Sequence, residues 1–262
     1  MLGAIENELG NMINTRSFPK KWNLMTVPFS VFIGWDRREP IAYDVAKFSL
    51  ERRSSIPVNV QPSKLDELRQ QKLYWREQDP LASTEFTYSR FLTPKLANYS
   101  GWALFCDCDF LFLSDIARLA SYAKGDKAVY CVQHDYRPSE KTKMDGAVQT
   151  VYPRKNWSSL LLFNCEHPSV LALTPEVVNR ESGAYLHRMQ WVSDNEIGSL
   201  PVNWNWLEGW NEKPATGTPN AVHFTRGGPW FEQWQNVDYG NLWLAERAML
   251  EARGPLPDKE RA

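Results

Sequence analysis

The sequence predicts an α/β fold with a mostly parallel central sheet flanked by helices. In the first half, short apolar runs alternate with stretches whose apolar residues fall at helical spacing, the pattern of a wound parallel sheet. The runs are rich in β-formers and apolar on both faces, as buried strands require. In the second half the strands shorten and loops prevail, which predicts an irregular portion with short antiparallel strands.

Residues 1–26 read as a lead-in, because SFPKKWN breaks any helix begun before it. VPFSVFIGW (27–35) is the first strand. The stretch 38–55 places Ile41, Val45 and Phe48 at helical spacing, and Pro40 suits its first turn. IPVNVQP (56–62) is a second strand, and 63–75 starts like a capping box, Ser63 three residues before Asp66. STEFTYSRFLTPKLANY (83–99) is a helical pattern with Ser83 or Thr84 as its cap. GWALFCDCDFLFL follows as one strand, then SDIARLASYA as a helix. KAVYCVQHD, WSSLLLFNCEH, a helical stretch over 168–180 and GAYLHRMQ complete the regular elements. With no repeat and no low-complexity linker, residues 27–250 form one domain and 251–262 a solvated tail.

Thirty Lys and Arg against 31 Asp and Glu give a net charge of −1, which argues against a nucleic-acid protein held by a basic surface. No apolar run reaches membrane-spanning length. Cys106, Cys108, Cys131 and Cys165 lack the spacing of a zinc or redox site and read as reduced apolar residues, which fits the cytoplasm. The 12 tryptophans read mostly as core, with some after residue 200 available to stack on a sugar.

Two carboxylates, Asp107 and Asp109, end an otherwise apolar run. On a strand they would project to the same face, with Cys106 and Cys108 on the other. In open α/β sheets, ligands bind beyond the carboxyl ends of the strands. Bare carboxylates there would repel each other, and Mg²⁺ or Mn²⁺ would use both as hard oxygen ligands. Three readings compete. The aspartates cap the next helix; they form the nucleophile motif of a haloacid dehalogenase-type phosphatase, imitated by LFCDCDFL; or they are the metal site of a nucleotide-sugar glycosyltransferase. The phosphatase motif belongs on a first strand and continues with Thr or Val, and neither holds here.

The surrounding motifs support the third reading. TYSRFLTPKL precedes ALFCDCDFLFLSDIARL, and NWSSLLLFNCEH, SDNEIGSLPVNWN and HFTRGGPW follow in that order. Over about residues 27–234 the chain resembles the GT-A fold glycosyltransferases, most closely family 8, the glycogenin and bacterial galactosyl- and glucosyltransferase type. The resemblance implies a Rossmann-like GT-A fold and transfer of a hexose from a UDP-sugar to a glycan or other hydroxyl acceptor, with retention at the anomeric carbon. Asp107, Asp109 and His223 would hold Mn²⁺ or Mg²⁺, and Arg90 would reach the donor near the diphosphate or sugar. Asn164, Asp194 and Asn195 would flank the transferring sugar. Gly34, Trp35 and Asp36 would meet the nucleoside, with Cys108, Gly227 and Gly228 also lining the donor site. The final motif is one residue short of the family's and lacks its lysine, for which Arg226 would supply the charge; Ser stands for Gly in SSLLLFN. If the reaction inverted, Asp194 or Glu196 would be the base. A nucleotide-sugar binding protein without turnover is the non-enzyme alternative, and acceptor contacts would come from 137–157 and 205–220.

Overall fold

The computed structural model describes residues 27–77, 79, 82–135 and 153–254. The lead-in, the tail beyond 254 and most of the 137–157 acceptor loop lie outside them.

The strands are β1 (Phe29–Gly34), β2 (Val58–Ser63), β3 (Trp102–Cys106), β4 (Phe110–Phe112), β5 (Val129–Cys131), β6 (Leu160–Asn164), β7 (Ile197–Ser199), β8 (Trp206–Leu207) and β9 (Ala221–His223). The helices are α1 (Pro40–Arg53), α2 (Leu65–Gln70), α3 (Thr93–Leu96), α4 (Ala117–Ala120), α5 (Pro168–Leu171), α6 (Pro175–Arg180), α7 (Gly183–His187) and α8 (Gly240–Ala252). None is long and apolar enough to cross a membrane.

The larger sheet has the order β2-β1-β3-β6-β5-β7. β1 pairs in parallel with β2 and β3, and β5 with β7, whereas β6 runs against both its neighbours. Five strands therefore share one direction, as the sequence predicts. The reversal of β6 matters for the site. Cys106, at the end of β3, lies opposite Leu160, so the start of β6 meets the carboxyl end of β3.

The smaller sheet has the order β4-β9-β8, with β4 antiparallel and β8 parallel to β9. GWALFCDCDFLFL is thus two strands in two sheets, not one. The chain leaves β3, turns through Asp107–Asp109 and enters the smaller sheet at Phe110. A continuous apolar pattern hides this break, because both flanking strands are buried on both faces.

α1 forms as its composition demands: Pro40 occupies the first turn, and Ala42, Val45, Ala46 and Leu50 face inward. It packs against β4 and α8. Val45, Leu111, Trp206, Val222, Phe224 and Trp243 form a second core there, behind the smaller sheet. Glu246 of α8, with its side chain 3% exposed, binds both Arg52 and Arg53 of α1's last turn, and these charge-assisted bonds hold its carboxyl below the usual range despite burial.

Other local expectations fail for identifiable reasons. Ser63 is the last, buried residue of β2 and caps nothing; Lys64 precedes α2 without a side-chain cap. The 83–99 stretch is not one helix but turns, a 3₁₀ turn over Ser89–Leu92 and the short α3, with neither Ser83 nor Thr84 as its cap. Pro94 at the start of α3 favours a new helix there over continuation of an old one. The 168–180 stretch divides into α5 and α6, each begun by its own proline. GAYLHRMQ supplies α7, capped by Ser182.

Trp243, one of two tryptophans in the second core, is fully buried, so Trp243→Ala is expected to destabilise the protein by about 3–5 kcal/mol in urea denaturation.

Candidate metal centre

Asp107 and Asp109 bracket the turn between the two sheets. Backbone bonds hold the turn at both ends: the Asp107 N–H donates to the Ser159 carbonyl (2.9 Å), and the Phe224 N–H to the Asp109 carbonyl (3.0 Å). Because β4 is antiparallel to β9 with Phe110 opposite His223, the histidine arrives beside the aspartates. One ligand atom from each of Asp107, Asp109 and His223 lies within 4.8 Å of the others.

The two carboxylates of this cluster meet different surroundings. Asp107 faces the buried Arg90, Nη1 to Oδ1 at 2.8 Å. The same Arg90 nitrogen donates to the Ser158 carbonyl at 2.9 Å, and Nε lies against the Phe86 and Thr87 carbonyls, so the guanidinium is fixed on three sides. Asp109 Oδ1 is shielded from solvent, makes no hydrogen bond and lies 3.2 Å from His223 Nε2. His223 Nδ1 contacts Asn205 Oδ1 at 2.8 Å, and its ring stacks on Phe110 with centroids 4.5 Å apart.

Oxygen and imidazole donors at these distances fit a hard or borderline divalent ion such as Mn²⁺ or Mg²⁺. The orphaned Asp109 oxygen facing a histidine nitrogen is where such an ion would relieve an electrostatic cost. Cys108 takes no part. It is buried, and its thiol points to Glu39 Oε1 (3.6 Å).

The remaining candidate residues are dispersed. Asp36 is fully buried and saturated: Arg38 donates to it from Nε (2.9 Å), Nη2 (2.7 Å) and its backbone N–H (3.0 Å), and the Glu85 N–H adds a fourth bond (3.1 Å). Burial alone would raise its pKa, but these donors outweigh it and hold the carboxyl below its usual value. Its polar capacity is thus spent on the turn into α1, not on a nucleoside. Gly34 is dictated by packing, since a Cβ there would lie 2.5 Å from the Phe86 ring. Trp35 is half-buried, with Lys64 above its ring at 5.8 Å.

Asn164 is misplaced for its assigned role. It pairs with Trp102 at the start of β3, the opposite end from Asp107 and about 16 Å away along the strand. The first asparagine of the motif, Asn156, is the one at the metal turn: its carbonyl accepts from Ser159 Oγ, whose backbone carbonyl holds Asp107.

Asp194 and Asn195 are exposed and lead into β7 at the Asn164 end. Asp194, with its side chain 84% exposed, pairs with Arg154, and Ser193 rather than Asp194 is the N-cap. Glu196 accepts from Ser169 Oγ and the Ser193 N–H, bonds that lower its pKa, so it closes a capping box and is not poised as a base.

Arg226 is bound by the buried Glu208 at 3.1 Å. Gly227 takes φ +125 at the end of the turn after Phe224, and Gly228 makes room for the Trp230 ring, which a Cβ would meet at 1.9 Å.

Sequence reasoning missed Asn205 and Glu39. Asn205 ends the motif LPVNWN, so it was visible but unassigned. Glu39 has no motif signal. It lies behind the metal turn and accepts from Trp230 Nε1 at 3.0 Å. Burial, then the charges of Asp109 and Asp36, push its pKa up to about 7.

No family model matches the sequence. Protein CDI of Arabidopsis thaliana is 57% identical over 222 residues, covering 84% of this chain and 86% of that protein. Among solved structures, the bifunctional glycosyltransferase WbbM superposes with a TM-score of 0.60 at 15% identity, over 86% of this chain and 50% of that one. The apo form of the glycosyltransferase GlyE from Streptococcus pneumoniae TIGR4 gives 0.57 at 16% identity, over 86% and 63%. The galactosyltransferase LgtC, solved with donor and acceptor sugar analogues, gives 0.56 at 12% identity, over 89% and 99%. The chain thus spans half the length of WbbM and under two thirds of GlyE. These likenesses establish the GT-A fold.

Glu39 supplies a test of the electrostatics behind the turn. Its carboxyl binds a proton more tightly in the folded chain (about 7) than at its ordinary value of 4.5. Deprotonation therefore costs stability as pH rises between those values, and the cost is complete above 7. Glu39→Gln, which keeps an acceptor for Trp230, is expected to raise stability by about 1–3 kcal/mol above pH 7 and to change it little near pH 4.5, measured by thermal denaturation in EDTA. A gain independent of pH would contradict this account.

Proposed function

The chain belongs to the family of Protein CDI of Arabidopsis thaliana, and from this, its fold and its metal-ligating cluster we propose that it is a metal-dependent glycosyltransferase of the family 8 type, moving a hexose from a UDP-sugar to a glycan or other hydroxyl acceptor. The family name specifies no chemistry. The observation that carries the reading is the Asp107–Asp109–His223 cluster, assembled at the carboxyl end of β3 from two segments distant in sequence.

Mn²⁺ or Mg²⁺, when bound, would neutralise the donor's diphosphate and ease its departure as UDP. Asp107, Asp109 and His223 would hold it. Arg90 holds Asp107 in place and puts a fixed positive charge beside the site, where negative charge grows on the leaving group. Trp35, at the end of β1, offers a partly exposed ring to the uracil. Residues 27–250 form the catalytic domain. The four free, buried cysteines suit a reducing compartment such as the cytoplasm.

The geometry favours retention. The two carboxylates that would serve as base in an inverting reaction are engaged elsewhere, Asp194 by Arg154 and Glu196 by its capping bonds. The departing phosphate oxygen would then take the acceptor's hydroxyl proton as the new glycosidic bond forms on the face the UDP leaves.

One observation favours a binding protein without turnover. Arg226, the residue available to replace the family's lysine, is held by Glu208. Hydrolysis of UDP-hexose to UDP in the absence of acceptor separates the readings, because binding alone releases no UDP.

Asp109→Ala is expected to abolish manganese-dependent UDP-sugar binding, read as a melting-temperature shift, and UDP release with it, while melting in EDTA stays close to wild type. Binding that keeps its manganese dependence would remove the metal assignment. Release of phosphate from simple monoesters, without affinity for UDP, would point to the phosphatase.

A further inference from the structure

His223 reaches the metal centre through one of its two ring nitrogens, and its hydrogen-bond partners determine which. Ser159 Oγ donates to the Asn156 carbonyl at 2.7 Å, so its hydrogen is committed and its oxygen can only accept from Asn205. Asn205 Nδ2 lies 2.8 Å from that oxygen and 3.3 Å from the Asn156 carbonyl, so both amide hydrogens have acceptors. The amide orientation follows: Oδ1 is the atom turned to His223, and it can only accept. Nδ1, 2.8 Å away, must therefore carry a hydrogen. In the neutral ring that leaves Nε2 with a bare lone pair, 3.2 Å from the buried carboxylate oxygen of Asp109. Two acceptors face each other, and a cation between them resolves the repulsion. Phe110 cannot make this choice, since its stacking fixes the plane of the imidazole without distinguishing the nitrogens.

We infer that Asn205, oriented by Ser159 and Asn156, is a positioning residue that holds His223 in the Nδ1–H tautomer and so aims the Nε2 lone pair at a divalent cation. Neighbours of this kind fix the tautomer and basicity of metal-bound histidines, and losing them typically weakens metal binding 10–100-fold. The inference rests on the metal-site reading above. Asn205 is fully buried and makes no contact with solvent, so its role is separable from that of a substrate-binding group.

The test is manganese affinity with UDP present, followed by electron paramagnetic resonance, for the wild type and two isosteric variants. Asn205→Leu cannot accept from Nδ1 and is expected to weaken manganese binding by about 10–100-fold. Asn205→Asp keeps the acceptor, the Ser159 hydroxyl turning from the Asn156 carbonyl to donate to the second carboxylate oxygen, and is expected to hold affinity within a few-fold of wild type. Melting in EDTA shows whether each variant is folded. A generally disordered site would lose affinity in both variants, whereas a tautomer effect spares the aspartate. In the Mg²⁺-loaded wild type, the ¹⁵N spectrum of the imidazole should place the proton on Nδ1. Unchanged affinity in Asn205→Leu, equal losses in both variants, or a proton on Nε2 would each overturn the inference. A wild type that takes up no manganese would overturn the metal reading, whereas normal uptake with an unaffected Asn205→Leu would overturn only the role of Asn205.

Discussion

The turn from Asp107 to Asp109 is the constraint on which the rest of the structure depends. It carries two half-buried negative charges at the place where the chain passes from one sheet to another, among buried neighbours. Carboxylates partly withdrawn from water need a compensating charge or hydrogen bond. Arg90 answers the first, a cation held together with His223 would answer the second, and each side chain needs its own support. Arg90 is held by three backbone carbonyls from two segments, and His223 by Phe110 and Asn205. The order of the larger sheet, with β6 reversed, brings Ser158 and Ser159 to this point. The smaller sheet brings the histidine. Few elements could shift without exposing one of the two charges.

The legible parts of the sequence were those in which one physical signal dominates. The pattern of apolar strands and helices carries the sheet class, and the Asp-Cys-Asp spacing together with the family resemblance points to Asp107, Asp109 and His223, which the fold brings together. The reasoning failed where two signals compete. GWALFCDCDFLFL reads as one strand because strands buried on both faces show no alternation at which a break would register. The sequence reading assigns Asn164, whereas Asn156 of the same motif is the asparagine at the turn, and only the direction of β6 separates the two, which no local pattern encodes. Asp194 and Glu196 carry chemistry-bearing side chains, yet their surroundings spend them on an ion pair and a cap. Asn205 and Glu39 act on the site from behind, and a residue that contacts only other residues leaves little trace in a single sequence.

The two helices farthest apart in the chain also bear on the site. α1 begins at Glu39, behind the metal turn, and ends at the arginines that bind Glu246 of α8. α8 in turn backs the sheet that carries His223, through Trp243. The second core is therefore a brace between the segment that precedes the aspartates and the strand that supplies the histidine. The buried pairing of Glu246 makes this brace directional as well as apolar, since two cations at the end of α1 must meet one anion on α8.

The smaller sheet has a consequence for biosynthesis. β4 consists of three wholly buried residues, Phe110, Leu111 and Phe112, and its strand partner β9 begins only at Ala221. At a synthesis rate of about 5–20 residues per second, the partner emerges roughly 5–20 s after β4. During that interval the nascent chain carries an unpaired apolar strand directly after two aspartates separated by a single residue. Those charges, a liability in the finished interior, then act as gatekeepers that keep the strand from pairing with other chains. The same two residues would protect the protein while it is being made and, once β9 closes over them, stand beside His223 as a candidate metal site.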